Sequence, residues 1–296
     1  MKELKITQGP VRRAQKVVLY GSEGIGKSTL AAQFPDPLFI DTEGGTSHLD
    51  VRRISFDGSF GDLIETIEAV AAQDVCRSLV LDTMDWAEQI CVADLLKKYR
   101  QTSIESFGYG KGYTYLAEEV QQILRAMDKV IASGKNAVIV AHAKMRKQEL
   151  PDEAGAFDRW ELKLSRQSAP LVKEWADMLL FLNYKTVVVH TDANTNKAQG
   201  GKRVMYTTHH PCWDAKNRCG LADELPLDFA SIATAFESLS ELMAKSGITE
   251  EQIRSVVSEK VLPQGAPLAQ DDSVGFCCAC LFKPITTTMV YIWEKA

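Results

Sequence analysis

Residues 21–28 read Gly21-Ser22-Glu23-Gly24-Ile25-Gly26-Lys27-Ser28, the spacing G-x-x-x-x-G-K-[ST]. Glycines in such a loop let backbone N–H groups converge on phosphate oxygens without Cβ clashes. Lys27 is spaced to reach the β- and γ-phosphates, and the Ser28 hydroxyl to ligate Mg²⁺. Thr29 completes the set at the start of the helix that follows. The chemistry this predicts is binding of ATP with Mg²⁺.

Two carboxylates and an imidazole fall at positions that suit the same substrate. Asp82 closes the run Ser78-Leu79-Val80-Leu81, where an acidic residue holds the Mg²⁺ shell; its plainer reading is a cap on the next turn. Glu43 follows Phe39-Ile40-Asp41-Thr42. Ligands of open α/β sheets lie beyond the carboxyl ends of strands, so Glu43 is predicted to face the γ-phosphate. A carboxylate there can take a proton from the attacking water. Asp41 competes for that role, but a residue still within the strand reads as structural. The alternative for Glu43 is a solvated loop residue. His142 follows Val138-Ile139-Val140-Ala141. A neutral imidazole at that point can hydrogen-bond the γ-phosphate and report its loss; the alternative is a packed core histidine.

The elements that must carry these residues are legible from apolar patterning. Residues 16–20, 37–41, 78–82 and 137–141 are continuous apolar runs, as in strands covered on both faces. Residues 177–182, 186–190 and 203–208 read as further strands. The polar stretch 192–202 joins the last two as a hairpin that extends the sheet. Helical patterns occupy 28–34, 60–73, 85–100 and 114–133. The βαβα order predicts an α/β fold, a mostly parallel central sheet with helices on both faces. Residues 1–225 are expected to form that domain. Residues 226–262 are expected to add a small helical appendage, with helices over 229–245 and 248–260, the latter capped by Thr249 and Gln252. Residues 263–296 form a tail that no pattern resolves.

Bulk composition bounds the rest. The chain has 296 residues, 45% hydrophobic and 25% charged, with a net charge of −5. No apolar run is long enough to span a bilayer. The opening Met1-Lys2-Glu3-Leu4-Lys5 has no apolar signal core, which predicts a cytoplasmic protein with reduced cysteines. The seven cysteines are odd in number and irregularly spaced, against a disulfide framework. His209, His210, Cys212 and Cys219 fit no common zinc spacing, and Cys277, Cys278 and Cys280 are too crowded for one tetrahedral site. A mildly acidic chain can bind DNA only through local basic patches.

Four segments together resemble RecA-like ATPases, and most closely the phage-encoded nucleotide-binding proteins of that superfamily, over residues 16–225. The phosphate loop is shared with many P-loop proteins. Phe39-Ile40-Asp41-Thr42-Glu43 resembles the strand that ends in the catalytic glutamate. Val140-Ala141-His142 resembles the γ-phosphate sensor. Trp213-Asp214-Ala215-Lys216-Asn217-Arg218-Cys219-Gly220 is similar to the Lys-Asn-Arg-Phe-Gly motif of RadA-type proteins, with Cys219 in place of Phe. The resemblance implies a homo-oligomer, ring or filament, in which Lys216 and Arg218 reach the ATP of a neighbouring subunit. It further implies single-stranded DNA as partner, a phage single-strand-binding protein as a second partner, and a role in recombination, annealing or repair.

Two stretches lie where that family places DNA-contacting loops. Residues 97–113 carry Lys97, Lys98, Arg100 and Lys111 against one acid, Glu105, interleaved with aromatics that can stack on bases. Residues 144–166 follow His142 with six basic and five acidic residues, and are expected to form a mobile loop that reads the sensor. The alternative for both is an ordinary solvated connection. Two rival functions stay open: an ATP-driven assembly or signalling switch without DNA, and a P-loop phosphotransferase, against which no basic lid segment is found.

Overall fold

The four continuous apolar runs become the centre of a sheet. In a computed structural model the described residues are 13–149, 155–191 and 195–237, and Arg13–Phe236 form one compact unit. The strands are β1 (Lys16–Gly21), β2 (Pro37–Asp41), β3 (Arg52–Ile54), β4 (Ser78–Asp82), β5 (Asn136–Glu149), β6 (Ala156–Leu162), β7 (Met178–Thr191), β8 (Thr195–Tyr206) and β9 (Glu224–Pro226). Their order is β3-β2-β4-β5-β1-β7-β8-β9, with β6 pairing to β5 off this path. The pairings from β3 through β7 along that path are parallel, and β8 and β9 add on antiparallel. The chain is therefore α/β with a mostly parallel sheet.

Helices cover both faces because alternate strand residues point to opposite sides. Val18, Tyr20, Leu79, Leu81 and Ile139 pack against α2 (Phe60–Ala72), α3 (Met84–Tyr99), α4 (Lys111–Ala132) and α5 (Ser168–Trp175). Val17, Leu19, Val80 and Val138 pack against α1 (Lys27–Ala31), Phe34 and Ile232 on the other face. The apolar stripe of α2, Phe60, Leu63, Ile67 and Val70, is buried. Its start is set by Ser59, whose hydroxyl accepts the Asp62 N–H at 3.2 Å.

The register places the chemistry at one edge. Gly21 pairs with His142 on one side and Leu182 on the other. Asp82 pairs with Asp41 and Val140. The carboxyl ends of β1, β2 and β4 thus meet beside Val140 to His142 in the middle of β5, and the phosphate loop sits among them.

Several expectations are corrected. Residues 144–166 are no loop over most of their length: β5 continues through Glu149 and folds back as β6, with pairs from Ala143↔Leu162 to Glu149↔Ala156. Half-buried strands need no continuous apolar run, so charge masks their alternation in the sequence. The strands expected over 177–182 and 186–190 are one strand, β7, and β8 begins at Thr195, inside the expected connection. α1 ends at Ala31 rather than residue 34: Gln33 and Phe34 donate to Leu30 and Ala31, a tightened turn ahead of Pro35 and Pro37. Residues 97–113 are largely ordered as the end of α3, a 3₁₀ turn at Ile104–Phe107 and the start of α4. No α-helix starts at Phe229; the described part of that segment holds a 3₁₀ turn at Ala233–Ala235. The remainder of both expected C-terminal helices, and the tail, lie outside the described residues.

Candidate nucleotide site

β1 delivers the loop and crowding dictates its first residue. A Cβ on Gly21 would lie 2.3 Å from the Leu182 carbonyl oxygen of β7, so only glycine lets the two strands run together there. Gly26 holds φ at 106°, a left-handed conformation that glycine alone adopts without strain. Lys27 is buried, and its Nζ donates to the carbonyls of Ser22 at 3.0 Å and Gly21 at 3.4 Å. Burial lowers its pKa, and the negative charges of Asp82, Asp85, Glu43 and Glu23 oppose that shift. Those four partners define the electrostatic neighbourhood of the lysine.

Asp82 is 3% exposed and its Oδ2 has no hydrogen-bond partner. Burial raises its pKa to about 6; the Ser28 hydroxyl hydrogen bond opposes the shift, while Asp41 and Glu43 add repulsion. A buried carboxylate with an unused oxygen beside a serine hydroxyl fits a hard cation that takes its other ligands from phosphate and water, which is the habit of Mg²⁺.

The structure separates the two candidate bases. Asp41 accepts the N–H groups of Glu43, Gly44, Gly45 and Thr46 and the Thr46 hydroxyl. Burial pushes its pKa up, but these bonds hold it below the usual carboxylate value. Asp41 is the organiser of the loop after β2, and Glu43 is left exposed at the sheet edge. Thr42 fastens that loop to the next strand: its hydroxyl donates to the Thr83 carbonyl and accepts the Thr83 N–H, both at 2.8 Å.

His142 is held by a residue that sequence spacing alone does not single out. Asp85, in the first turn of α3, accepts the His142 backbone N–H at 3.0 Å and meets its Nδ1 at 2.8 Å. Burial would raise the Asp85 pKa, yet the His142 hydrogen bonds keep it low. An ionised carboxylate only accepts, so Nδ1 carries the proton, and Nε2 of the neutral ring is an acceptor. A neutral imidazole in this setting cannot donate to a phosphate oxygen. The expected direct bond from a neutral ring to the γ-phosphate therefore does not hold for this tautomer. The pattern that could have revealed Asp85 is its place three residues after Asp82, one helical step from the strand end.

The hairpin of β5 and β6 is tied to the same spot. Lys163, just past β6, donates its N–H to the His142 carbonyl at 2.8 Å, and its Nζ lies 3.7 Å from Glu23 of the phosphate loop. Glu88 of α3 accepts the Ser165 N–H with both oxygens at 3.1 Å.

Lys216 and Arg218 are not brought to this loop. Lys216 bridges antiparallel to Leu179, and Arg218 pairs with Asp177 at 2.9 Å. Asp177 donates its N–H to the Lys16 carbonyl at the amino end of β1, so at strand rise Arg218 lies level with a point about 17 Å from Gly21, and Lys216, opposite Leu179 and Val18, about 10 Å from it. Asn217 shapes the turn: its Oδ1 accepts the N–H groups of Cys219 and Leu221. Asp214 anchors it through Arg159, Lys173 and the Tyr20 hydroxyl.

In residues 97–113 the aromatics divide. Tyr99 and Phe107 pack with Tyr115 at 5.4–5.6 Å between ring centroids, and Tyr109 is fully exposed. His210 stacks on Trp213 at 4.1 Å and its Nδ1 accepts the Cys212 N–H. No described helix is long and apolar enough to cross a membrane.

Comparison with known proteins adds one strong match. A family model described as an AAA domain matches residues 13–219. No curated protein matches the chain. Among solved structures, a KaiC-like protein from the hyperthermophilic archaeon Pyrococcus horikoshii aligns at 14% identity with a TM-score of 0.38, over 66% of this chain and 79% of that one. That likeness is too distant to transfer any residue role.

Proposed function

Because this chain belongs to the AAA-domain family, whose model spans residues 13–219, we propose that it is a Mg²⁺-dependent ATP hydrolase acting as a homo-oligomer on single-stranded DNA. The observation that carries the hydrolase reading is the meeting of Lys27, Ser28, Asp82, Glu43 and His142 at one sheet edge, with Asp82 Oδ2 buried and unpartnered. Backbone N–H groups of residues 21–29 hold the phosphates. Lys27 leaves the Ser22 and Gly21 carbonyls and turns its ammonium to the β- and γ-phosphates. Ser28 and Asp82 would hold Mg²⁺, which when bound neutralises charge on the phosphate oxygens. Glu43 takes the proton of the attacking water at its carboxylate, in a loop fixed by the five bonds to Asp41. His142, oriented by Asp85, senses the γ-phosphate and passes its state through the Lys163 N–H into the β5–β6 hairpin.

The DNA reading is the finer step. It is supported by the hairpin's attachment to both His142 and Glu23 and by the basic residues at Lys97, Lys98, Arg100 and Lys111. In the same reading Lys216 and Arg218 act on a neighbouring subunit's ATP, and the protein serves phage recombination in a host cytoplasm. A switch without DNA is favoured by one observation: Tyr99 and Phe107 pack against Tyr115, which leaves less aromatic surface for base stacking.

Turnover of ATP with Mg²⁺, measured with and without oligo-dT, tests both steps. Hydrolysis that is lost in Lys27→Ala and stimulated by oligo-dT is the expected result. Wild-type protein without turnover under either condition would overturn the hydrolase reading; turnover indifferent to DNA would favour the switch.

A further inference from the structure

The hairpin of β7 and β8 rises past the phosphate loop on the flank opposite the acidic groups. β5, β4 and β2 lie on one side of β1, and β7 and β8 on the other. Tyr184 and Arg203 are cross-strand partners on this hairpin, just beyond Leu182, which pairs with Gly21. The Tyr184 hydroxyl donates to the Gly24 carbonyl at 3.4 Å, and Arg203 Nη1 donates to the Ile25 carbonyl at 3.5 Å. A Cβ on Gly26 would lie 3.1 Å from the same Nη1 and 3.8 Å from Leu227 Cδ2. An aromatic ring, a guanidinium and a leucine therefore border the loop together.

These side chains are poorly used by the protein itself. Both hydrogen bonds are at the long, weak end of the range. A guanidinium has five N–H donors, and among the described residues Arg203 forms this one long bond and no ion pair. Tyr184 keeps 39% of its surface exposed. A nucleoside site needs such a set: apolar and aromatic faces with a few polar groups that fix orientation. Direction points the same way. The reactive end of a triphosphate must face Glu43, Asp82 and His142 on the β5 flank, so the chain of phosphates crosses the loop and its nucleoside leaves on the β7 flank.

We propose that Tyr184, Arg203 and Leu227 form the nucleoside subsite, the base stacking on the Tyr184 ring against Leu227 while Arg203 bonds the sugar and lies against the base. This rests on the reading of residues 21–29 as a nucleotide loop. It assigns the hairpin a task in cis, separate from that of Lys216 and Arg218 further along the chain.

Calorimetric binding of Mg²⁺–ATP, Mg²⁺–ADP and inorganic tripolyphosphate to the full chain tests it. Tyr184→Ala and Arg203→Gln each weaken ATP and ADP about tenfold, the scale of removing one stacking interaction with a base, and leave tripolyphosphate unchanged. Tyr184→Phe keeps ATP affinity, because the ring and not the hydroxyl touches the base. Both positions are exposed, and matching melting temperatures show that the variants remain folded. Equal losses for ATP and tripolyphosphate would mean the pair only braces the loop, and overturn the subsite. So would ATP affinity at the wild-type level in both variants. Wild-type protein that binds neither ligand would defeat the nucleotide reading, and the subsite with it; wild-type binding with unchanged variants defeats the subsite alone.

Discussion

Asp82 shows how a site residue works against the fold that holds it. Its carboxyl titrates at about 6 against an ordinary 3.8, with burial as the main cause. Well below pH 3.8 it is neutral in folded and unfolded chains alike and costs nothing. As pH rises through 6, the folded protein must bury a charge that the unfolded chain keeps in water. Asp82→Asn should therefore stabilise the ligand-free protein at pH 8 by on the order of 3 kcal/mol, with the gain fading as pH falls through 6 and vanishing below about pH 3. Urea unfolding at the two ends of that range measures it, and a pH-independent difference would contradict the account. The same variant should lose Mg²⁺-dependent turnover. Glu43→Gln is expected to bind ATP and hydrolyse it about 100-fold more slowly, since the amide keeps shape without basicity. Normal single-turnover rates would move the base elsewhere, and Asp41 is a poor successor because its oxygens already accept five hydrogen bonds.

At the scale of elements, the β5–β6 hairpin and the α3–α4 corner are the parts on which the proposed DNA contact rests. α3 ends at Arg100 in a left-handed cap whose N–H reaches the Leu96 and Lys97 carbonyls, which fixes Lys97, Lys98 and Arg100 on one ordered corner. A fixed cluster of cations neutralises phosphates as a group. Replacing Lys97, Lys98, Arg100 and Lys111 together with Gln should weaken oligo-dT binding and flatten its log–log salt dependence by about 0.7 for each phosphate no longer neutralised. Unchanged affinity and slope in a fluorescence titration would remove this corner from the DNA path. The elements also mark where sequence patterning works. Strands buried on both faces are unmistakable, since β2 and β4 need apolar side chains at every interior position. The outer half of β5 is half-solvated and β6 mixes buried Arg159 and Leu162 with exposed Ala156 and Asp158, so charged residues hide their alternation. α5 begins in a Ser165–Ser168 hydrogen-bonded turn ahead of Pro170, a start signal that is present in the sequence but short enough to pass as loop.

At the scale of the whole molecule, the distance between the phosphate loop and Arg218 bears on the proposed homo-oligomer. One strand length separates them, so a role in hydrolysis requires a second subunit. Arg218→Ala should be nearly inactive yet still bind ATP. The fold should tolerate it, because Asp177 keeps its bond to Arg13 at 3.0 Å. Mixing Arg218→Ala with Lys27→Ala should restore activity, as some interfaces then pair an intact loop with an intact arginine. Charge supplied in trans contributes on the order of 10³-fold to rate, so a minority of repaired interfaces is enough to detect. No recovery at any ratio, with assembly confirmed by light scattering, would confine the motif to a structural role at the Asp177 edge.

The sequence by itself determined the phosphate loop, the parallel core and the strand ends bearing Glu43, Asp82 and His142, because each depends on local spacing: glycines at fixed intervals and apolar runs of strand length. Tertiary structure decided what those residues can do. Only the packing of α3 against β5 reveals that Asp85 fixes the His142 tautomer, since the two lie far apart in the chain. Only the turn after β2 shows Asp41 saturated and Glu43 free. The place of Tyr184 and Arg203 beside the loop likewise follows from β7 running next to β1, a pairing between segments more than 150 residues apart that no local pattern encodes.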